Sequence, residues 1–188
     1  MHPLIASLKG KLIVSVQAYP GEPMRTPETM AQIARAAEIG GAAAIRCQGL
    51  SDISAIKGRV DVPVIGLWKE GHEGVYITPS LRHARACVMA DCGSFEDAQR
   101  AVDTGVDIVS TTLAGYTGDR VKTDGPDLEL LAEVVAAFPD VPVICEGRVH
   151  TPEQAAAAIE VGAFAVIVGT AITHPTSITT WFKAAVEG

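Results

Sequence analysis

Short apolar runs alternate with alanine-rich segments along this chain, which is the pattern of repeated strand–helix units around a parallel sheet. Seven runs rich in β-branched residues predict strands at 12–17, 43–48, 62–69, 87–91, 107–112, 141–147 and 163–169. The segments between them predict helices around 27–39, 51–57, 94–104, 127–138, 152–161 and 176–186. The strands are nearly continuous apolar runs, as expected for parallel strands that are buried on both faces.

Capping residues support these helix boundaries. Thr26 and Thr151 each precede a proline and a glutamate, which places a capping hydroxyl ahead of a first-turn proline. Glycines follow three of the predicted helices and suit left-handed C-caps, at Gly40-Gly41, Gly105 and Gly162. The chain therefore contains several similar units with matching starts and ends.

Two of the predicted strands end in ionisable residues. The run VPVIGLWK at 62–69 ends in Lys69, and the similar run VPVICEGR at 141–148 contains Glu146 and then Gly147 and Arg148. In a (β/α) barrel the catalytic groups lie at the carboxyl ends of the strands. We therefore predict an α/β fold, a TIM-type (β/α) barrel with parallel strands, in one domain over residues 1–188.

One connection is too short for this fold. A helix start at Thr78-Pro79 is followed after only a few residues by the strand predicted at 87–91, whereas a parallel crossover needs a full helix and a loop. Seven strands are recognisable where a complete barrel has eight. The missing strand and the short crossover fall at the same place.

Composition narrows the class of protein. The 188 residues are 48% hydrophobic, which is enough for one core, and the net charge of −7 argues against a nucleic-acid or anionic-membrane partner. No run is long enough to span a membrane, and the first ten residues lack a signal-peptide core, so we expect a cytoplasmic protein. The four cysteines lack C-x-x-C spacing and are expected to be buried free thiols.

Polar side chains close most of the predicted strands and form the candidate site. One amide, two cations and two carboxylates would converge at one end of the barrel and suit a polyhydroxylated, anionic substrate; they could also be ion pairs of structural importance alone. Lys69 could act as a base or form an imine with a carbonyl, and Glu146 could be the complementary acid. The other strand-end candidates are Gln17, Arg46, Asp91 and Thr111.

The last two strand-to-helix turns are the candidate phosphate site. Glycine-rich turns there can present backbone N–H groups to an anion, although simple tight turns are the alternative. The residues concerned are Gly147, Arg148, Gly169 and Thr170. The five histidines lack metal-ligand spacing and are expected at the surface, so no metal site is predicted.

Seven segments, in order along nearly the whole chain, resemble the motifs of the N-acylglucosamine-6-phosphate 2-epimerases. They are IVSVQ (13–17), AIRCQG (44–49), IGLWK (65–69), VMADC (88–92), TTLAGYT (111–117), CEGR (145–148) and VGTAIT (168–173). The resemblance implies a (β/α)8 barrel without an organic cofactor. It also implies interconversion of N-acetylmannosamine 6-phosphate and N-acetylglucosamine 6-phosphate, in sialic acid and amino-sugar breakdown.

By the same resemblance, Lys69 would remove the C2 proton of the ring-opened sugar and Glu146 would be its acidic partner. Gln17, Arg46 and Asp91 would match sugar-binding positions, and Arg148, Gly169 and Thr170 the phosphate region. This chain departs from the family where the crossover is short, because a helix remainder, a strand and another helix are absent. The candidate explanations are a truncated record, a deletion that rearranges or swaps elements between subunits, and an opened seven-stranded barrel.

Two alternatives to epimerisation stay open from the sequence. One is another phosphate-binding barrel, a synthase or aldolase in which Lys69 forms an imine. The other is a catalytically silent variant that still binds a phosphosugar. The alanine-rich outer helices and the gap left by a missing strand also predict a homo-oligomer.

Overall fold

In the computed structural model, which describes residues 1–67 and 87–188, a parallel sheet of seven strands forms the centre of the molecule. The strands are β1 Leu12–Val16, β2 Ala44–Gln48, β3 Val64–Leu67, β4 Met89–Asp91, β5 Ile108–Ser110, β6 Val143–Glu146 and β7 Ala165–Val168. Their order is β3-β2-β1-β7-β6-β5-β4. Each predicted strand is present, although most are shorter than the apolar run that predicts them.

Eight helices accompany the sheet in the described part of the chain. They are α1 Pro3–Ala6, α2 Pro27–Ile39, α3 Gly49–Lys57, α4 Phe95–Asp103, α5 Leu128–Ala137, α6 Pro152–Val161, α7 Thr170–Thr173 and α8 Pro175–Glu187. The predicted caps form: Thr26 accepts from the Thr29 N–H and Thr151 from the Gln154 N–H. Gly162 ends α6 in the left-handed conformation, with φ of 115°. The short helices α1 and α7 have no counterpart in the sequence prediction.

The sheet curls strongly, as a barrel requires. In the strand order, β2 and β4 are five strand spacings apart, which in a flat sheet is about 24 Å. Nevertheless the side chains of Arg46 in β2 and Asp91 in β4 meet at 2.6 Å. The predicted TIM-type barrel with seven recognisable strands is therefore confirmed, and its two edge strands among the described residues are β3 and β4.

The inside of the curled sheet changes character along the strands. Near their amino ends the inward side chains are apolar and pack with Ile5 in α1 and Leu8 just after it; they include Ile13, Ala44, Ile108, Ile144 and Ala165. Because side chains alternate between faces, the positions two residues further along point the same way. At those positions stand Ser15, Arg46, Ser110, Glu146 and Ile167, so the carboxyl end of the barrel is largely polar.

Two further apolar clusters fill the space between the sheet and the helices. One packs α2 and α3 against β1 and β2, and the other packs α4, α5 and α6 against β5, β6 and β7. Burial of these outward faces holds the strands rigidly in register. The polar side chains at the carboxyl ends are thereby fixed relative to one another.

Candidate active site

A cavity of about 330 Å³ opens at the carboxyl ends of the strands. It is bounded by β1, β2, β6 and β7 and by the loops that follow β1, β5, β6 and β7. The predicted site residues that line it are Gln17, Arg46, Glu146, Gly147, Arg148, Gly169 and Thr170. The fold therefore brings most of the residues predicted from the strand ends to one cavity.

Arg46 connects the two carboxylates of the site. Its Nη1 donates to Glu146 Oε1 at 2.6 Å, and its Nη2 donates to Asp91 Oδ2 at 2.6 Å. The Arg46 side chain is only 2% exposed, and those of Asp91 and Glu146 are 6% and 11% exposed. Such charge-assisted contacts fix three side chains from β2, β4 and β6 in one orientation.

Burial dominates the protonation equilibrium of Glu146. Loss of hydration raises the pKa of its carboxyl, the charge of Arg46 opposes this effect, and the neighbouring Asp91 adds to it. The pKa of Arg46 is raised because its attraction to the two carboxylates outweighs its own desolvation. Within the described residues the Nε of Arg46 is buried and has no hydrogen-bond partner, so one donor is available for a ligand.

Thr112, which sequence reasoning did not single out, occupies the centre of this polar cluster. Its Oγ1 lies 2.8 Å from Asp91 Oδ1, 2.9 Å from Glu146 Oε2 and 2.7 Å from the hydroxyl of Ser110. A period-two reading from Ile108 through Ser110 in β5 to Thr112 just after it would have found it, because alternate residues of an extended chain point the same way.

Thr111 and Gln17 lie at the edges of the cluster. The Thr111 hydroxyl contacts the backbone of Glu146, donating to its carbonyl oxygen at 3.0 Å, and Thr111 is not among the residues that line the cavity. The Gln17 side chain lines the cavity and donates to the Ser15 hydroxyl at 2.7 Å. Gln17 thus reaches the cavity directly, whereas Thr111 braces the strand that carries Glu146.

The turn after β6 has a backbone that few residues tolerate. Gly147 and Arg148 both have positive φ, of 100° and 56°. At position 147 a Cβ would lie 3.3 Å from the carbonyl oxygen of Thr112, so glycine suits both the backbone and the space. Arg148 is a non-glycine residue in the left-handed region, which is uncommon and marks a constrained position.

The guanidinium of Arg148 holds the loop between β5 and α5. It donates to the carbonyl oxygens of Ala114 at 2.6 Å and Gly125 at 3.0 Å, and to the Thr123 hydroxyl at 3.0 Å. It also lies 5.1 Å from the centre of the Tyr116 ring, which lines the cavity. Each guanidinium nitrogen already donates once, which leaves two N–H groups for a ligand.

Two histidines line the cavity, which differs from the surface positions expected from the sequence. His174 contacts Ser177 at 2.7 Å and lies 3.1 Å from a Glu22 carboxylate oxygen. The ring of His150 packs 4.6 Å from that of Trp181. Burial, followed by the charge of Arg148, lowers the pKa of His150. The loop positions alone gave no signal that the last turns fold back over the site.

The candidate base Lys69 lies outside the described residues, two positions after the end of β3 in the sequence.

Among the described residues, no cluster of three histidine, cysteine, aspartate or glutamate side chains could hold a metal ion. In the same part of the chain, no helix is long and apolar enough to cross a membrane.

Comparison with known proteins identifies the family. The family model described as "Putative N-acetylmannosamine-6-phosphate epimerase" matches residues 30–85 and 76–188. The chain belongs to this epimerase family. A relative from Cutibacterium acnes, named "Putative N-acetylmannosamine-6-phosphate 2-epimerase", is 53% identical over 98% of this chain and 97% of its own length. A relative of the same name from Caldanaerobacter subterraneus is 42% identical over 95% of this chain and 92% of its own length.

A solved structure supports the epimerase family at the level of the fold. The N-acetylmannosamine-6-phosphate 2-epimerase from Clostridium perfringens superimposes with a TM-score of 0.92 and 35% identity, covering 98% of this chain and 96% of that one. A geranylgeranylglyceryl phosphate synthase from Thermoplasma acidophilum matches with a TM-score of 0.57 at 19% identity over 92% of each chain, which shows a shared fold alone.

The comparisons also locate the departure from the epimerase family. The alignment with the Cutibacterium acnes relative spans 222 positions, which is more than the 188 residues of this chain. The relative therefore has residues without a counterpart here. The two stretches that match the family model overlap at 76–85, between β3 and β4 in the sequence. This agrees with the prediction that one strand–helix unit is missing there.

Proposed function

We propose that this chain is an isomerase that interconverts N-acetylmannosamine 6-phosphate and N-acetylglucosamine 6-phosphate by removing and replacing the proton at C2. The observation that carries the proposal is the buried Glu146, which borders the cavity and is held by Arg46 at 2.6 Å in a chain of the epimerase family. A carboxyl with a raised pKa keeps its proton to higher pH than an ordinary glutamate and can give that proton to carbon.

The proposed reaction uses two groups on opposite faces of the ring-opened sugar. Lys69 takes the C2 proton, which the neighbouring C1 carbonyl acidifies, and the electron pair of the broken C–H bond is delocalised onto the C1 oxygen to give an enolate. Glu146 then gives its proton to C2 on the other face, which inverts that centre. The free Nε of Arg46 and the amide of Gln17 are suited to hold the oxygen atoms of the open-chain sugar.

We assign the phosphate to the far end of the cavity, beside the turns after β6 and β7. Gly147, Gly169 and Thr170 border it there, and Arg148 contributes a positive charge and its two remaining N–H groups. Asp91 is assigned to the support of Arg46, since it contacts the guanidinium and is not among the residues that line the cavity.

Incubation of the purified chain with N-acetylmannosamine 6-phosphate in deuterium oxide tests this proposal. We expect N-acetylglucosamine 6-phosphate with deuterium at C2, detected by proton NMR, and at least a hundredfold loss of rate in Lys69→Met or Glu146→Gln. Product without deuterium, or no product from the folded chain, would contradict it. Borohydride trapping of a covalent adduct on Lys69 would instead favour an imine-forming synthase or aldolase.

We also propose that the protein is a cytoplasmic homo-oligomer. Free thiols at all four cysteines are typical of a reducing compartment. On α8, Trp181, Phe182 and Val186 are 38%, 70% and 84% exposed, which is an apolar surface suited to self-association. Light scattering at several concentrations is expected to show a mass above that of one chain, and Phe182→Ser is expected to reduce it.

A further inference from the structure

The hydroxyl of Thr112 has more hydrogen-bond acceptors around it than it can donate to. Its oxygen is 2.8 Å from Asp91 Oδ1 and 2.9 Å from Glu146 Oε2, so both carboxyls are within hydrogen-bond distance. A threonine hydroxyl carries one hydrogen and can donate to only one of them. If both carboxyls were ionised, one of the two contacts would place two acceptors against each other without a proton.

The hydroxyl of Ser110 does not remove this conflict. It lies 2.7 Å from Thr112 Oγ1 and 3.4 Å from Glu146 Oε2, so its hydrogen can point to either atom. It cannot supply a hydrogen to the contact between Thr112 and Glu146. A proton on one of the two carboxyls gives every close contact a hydrogen.

Charge and burial decide which carboxyl carries the proton. Arg46 brings one positive charge to both carboxyls, and a buried cluster with one ionised carboxyl is neutral. Burial raises the pKa of Glu146, with Asp91 adding to the effect, which favours a neutral Glu146 beside an ionised Asp91. The hydrogen bonds then run from Glu146 to Thr112 and from Thr112 to Asp91, while Ser110 donates to Thr112.

We propose that Thr112 is a positioning residue whose hydroxyl accepts a hydrogen bond from neutral Glu146 and donates one to Asp91. In this way it keeps Glu146, the acid of the proposed epimerisation, protonated. This inference rests on the proposed function. When Glu146 gives its proton to C2, the O–H bond breaks and its electron pair stays on Oε2. The Thr112 hydroxyl then turns from Asp91 to Glu146 and stabilises the new carboxylate.

The charged groups that face Glu146 in the described residues come from two strands. They are Arg46 from β2 and Asp91 from β4, while Ser110 in β5 and Thr112 just after it contribute hydroxyls. On the other neighbour, β7, Ile167 stands in register with Glu146 and carries no charge. Thr112 is the uncharged group in the described residues that contacts both carboxyls, as Arg46 also does, so its removal tests the link without removing the cation.

Carbon NMR of the protein with carboxyl-labelled glutamate measures the Glu146 titration without any turnover, and Glu146→Gln assigns the signal. In the unmodified chain Glu146 is expected to titrate above 4.5, the ordinary value. Thr112→Val removes the acceptor of the Glu146 proton, so the pKa of Glu146 should fall by about one pH unit. Thr112→Ser keeps the hydroxyl and should restore the original titration.

The opposite result would overturn the proposal. A hydroxyl that merely donates to an ionised Glu146 lowers the pKa of that carboxyl, so its removal in Thr112→Val would raise the pKa instead. An unchanged titration, or a Glu146 in the unmodified chain that ionises at or below 4.5, would overturn it as well. If Thr112→Val does not fold, Thr112→Ala is measured under the same criteria, and the titration of the unmodified chain stands as the deciding result.

Kinetics separates this inference from the proposed function. We expect Thr112→Val to reduce kcat by about ten- to a hundredfold with KM within twofold, and Thr112→Ser to retain most of kcat. A chain that titrates as described and does not epimerise contradicts the proposed function alone. A chain that epimerises while Thr112→Val leaves the Glu146 titration unchanged contradicts the role of Thr112 alone.

Discussion

Arg46 Nη1 donates to Glu146 Oε1 at 2.6 Å, although β1 and β7 stand between their strands in the sheet. The contact crosses the inside of the barrel and exists only because the sheet curls. With the second contact from Arg46 to Asp91, it forms a buried cluster of one cation and two acids that depends on the curvature of the sheet. The geometry of the candidate acid and the integrity of the fold are therefore linked through one guanidinium.

Replacing Arg46 with methionine should destabilise the protein as well as inactivate it. The substitution leaves Asp91 and Glu146 buried without a cation, and removing one partner of such a pair costs about 3–5 kcal/mol. We expect that loss in the free energy of unfolding, measured by urea denaturation. Arg59→Met is the matched control, because Arg59 pairs with Glu28 at the surface and should change stability by less than about 1 kcal/mol. Equal effects of the two substitutions would contradict the linkage.

The pH dependence of epimerisation should reflect the protonation of Glu146. Burial raises its pKa in the folded state, and the proposed mechanism needs its neutral form. The rate of C2 reprotonation should therefore be full below this raised pKa and fall as the pH increases through it. Because the folded pKa lies above the unfolded one, the stability that Glu146 contributes is full below the unfolded pKa. It is lost as the pH rises through the folded pKa. Rate profiles of the unmodified chain and of Glu146→Gln test this, and the falling limb should be absent in Glu146→Gln.

The sequence predicted the strand ends well because buried parallel strands leave a simple signal, an apolar run that stops at a polar residue. Arg46 and Glu146 were found in this way. Thr112 was missed because the prediction favoured its neighbour Thr111, and the inward face follows from the alternation of side chains once the strand register is known. The contact of Arg46 with Asp91 could not be predicted, since it depends on the curvature of the whole sheet.

Arg148 should control the order of the loop between β5 and α5. Its three hydrogen bonds to Ala114, Thr123 and Gly125 tie that loop to the turn after β6. In Arg148→Lys a single ammonium cannot reproduce the planar fork, so amide hydrogen exchange across 113–126 should be faster by about tenfold. Arg35→Lys, on an exposed face of α2, is the control and should leave this exchange unchanged. Unaltered exchange in Arg148→Lys would show that the loop is held by other contacts.

Asp127 should contribute to resistance against acid. Although burial acts to raise the pKa of its carboxyl, hydrogen bonds from Arg120 and from the Leu130 N–H outweigh this and lower it. The stability it contributes is therefore present above its ordinary pKa and is lost as the pH falls through the folded value. Asp127→Asn keeps a helix-capping oxygen but no charge, so it should cost about 1–2 kcal/mol at pH 7.

The difference between the unmodified chain and Asp127→Asn should then shrink in acid, as measured by denaturation at several pH values. Glu129→Gln provides a control on the same arginine, because Glu129 is 81% exposed and its pairing with Arg120 should contribute little at any pH. A difference between Asp127→Asn and the unmodified chain that stays constant down to pH 3 would contradict a role for the Asp127 charge.

The four free cysteines should differ sharply in reactivity. Burial raises the pKa of the thiols of Cys47, Cys92 and Cys145 to about 12 each, so almost no thiolate is present at pH 8 and the sulfur atoms are inaccessible. Cys87 is only half-buried. Iodoacetamide should therefore modify Cys87 first in the folded protein, as detected by peptide mass spectrometry.

A Cys87→Ser variant should accordingly remain unmodified until it is unfolded in urea, when the other three thiols should react together. This follows because all three lie in strands or strand ends of one cooperative core, Cys47 in β2, Cys145 in β6 and Cys92 just after β4. Labelling of Cys92 ahead of Cys47 and Cys145 would mean that β4, an edge strand among the described residues, opens independently of the rest of the sheet.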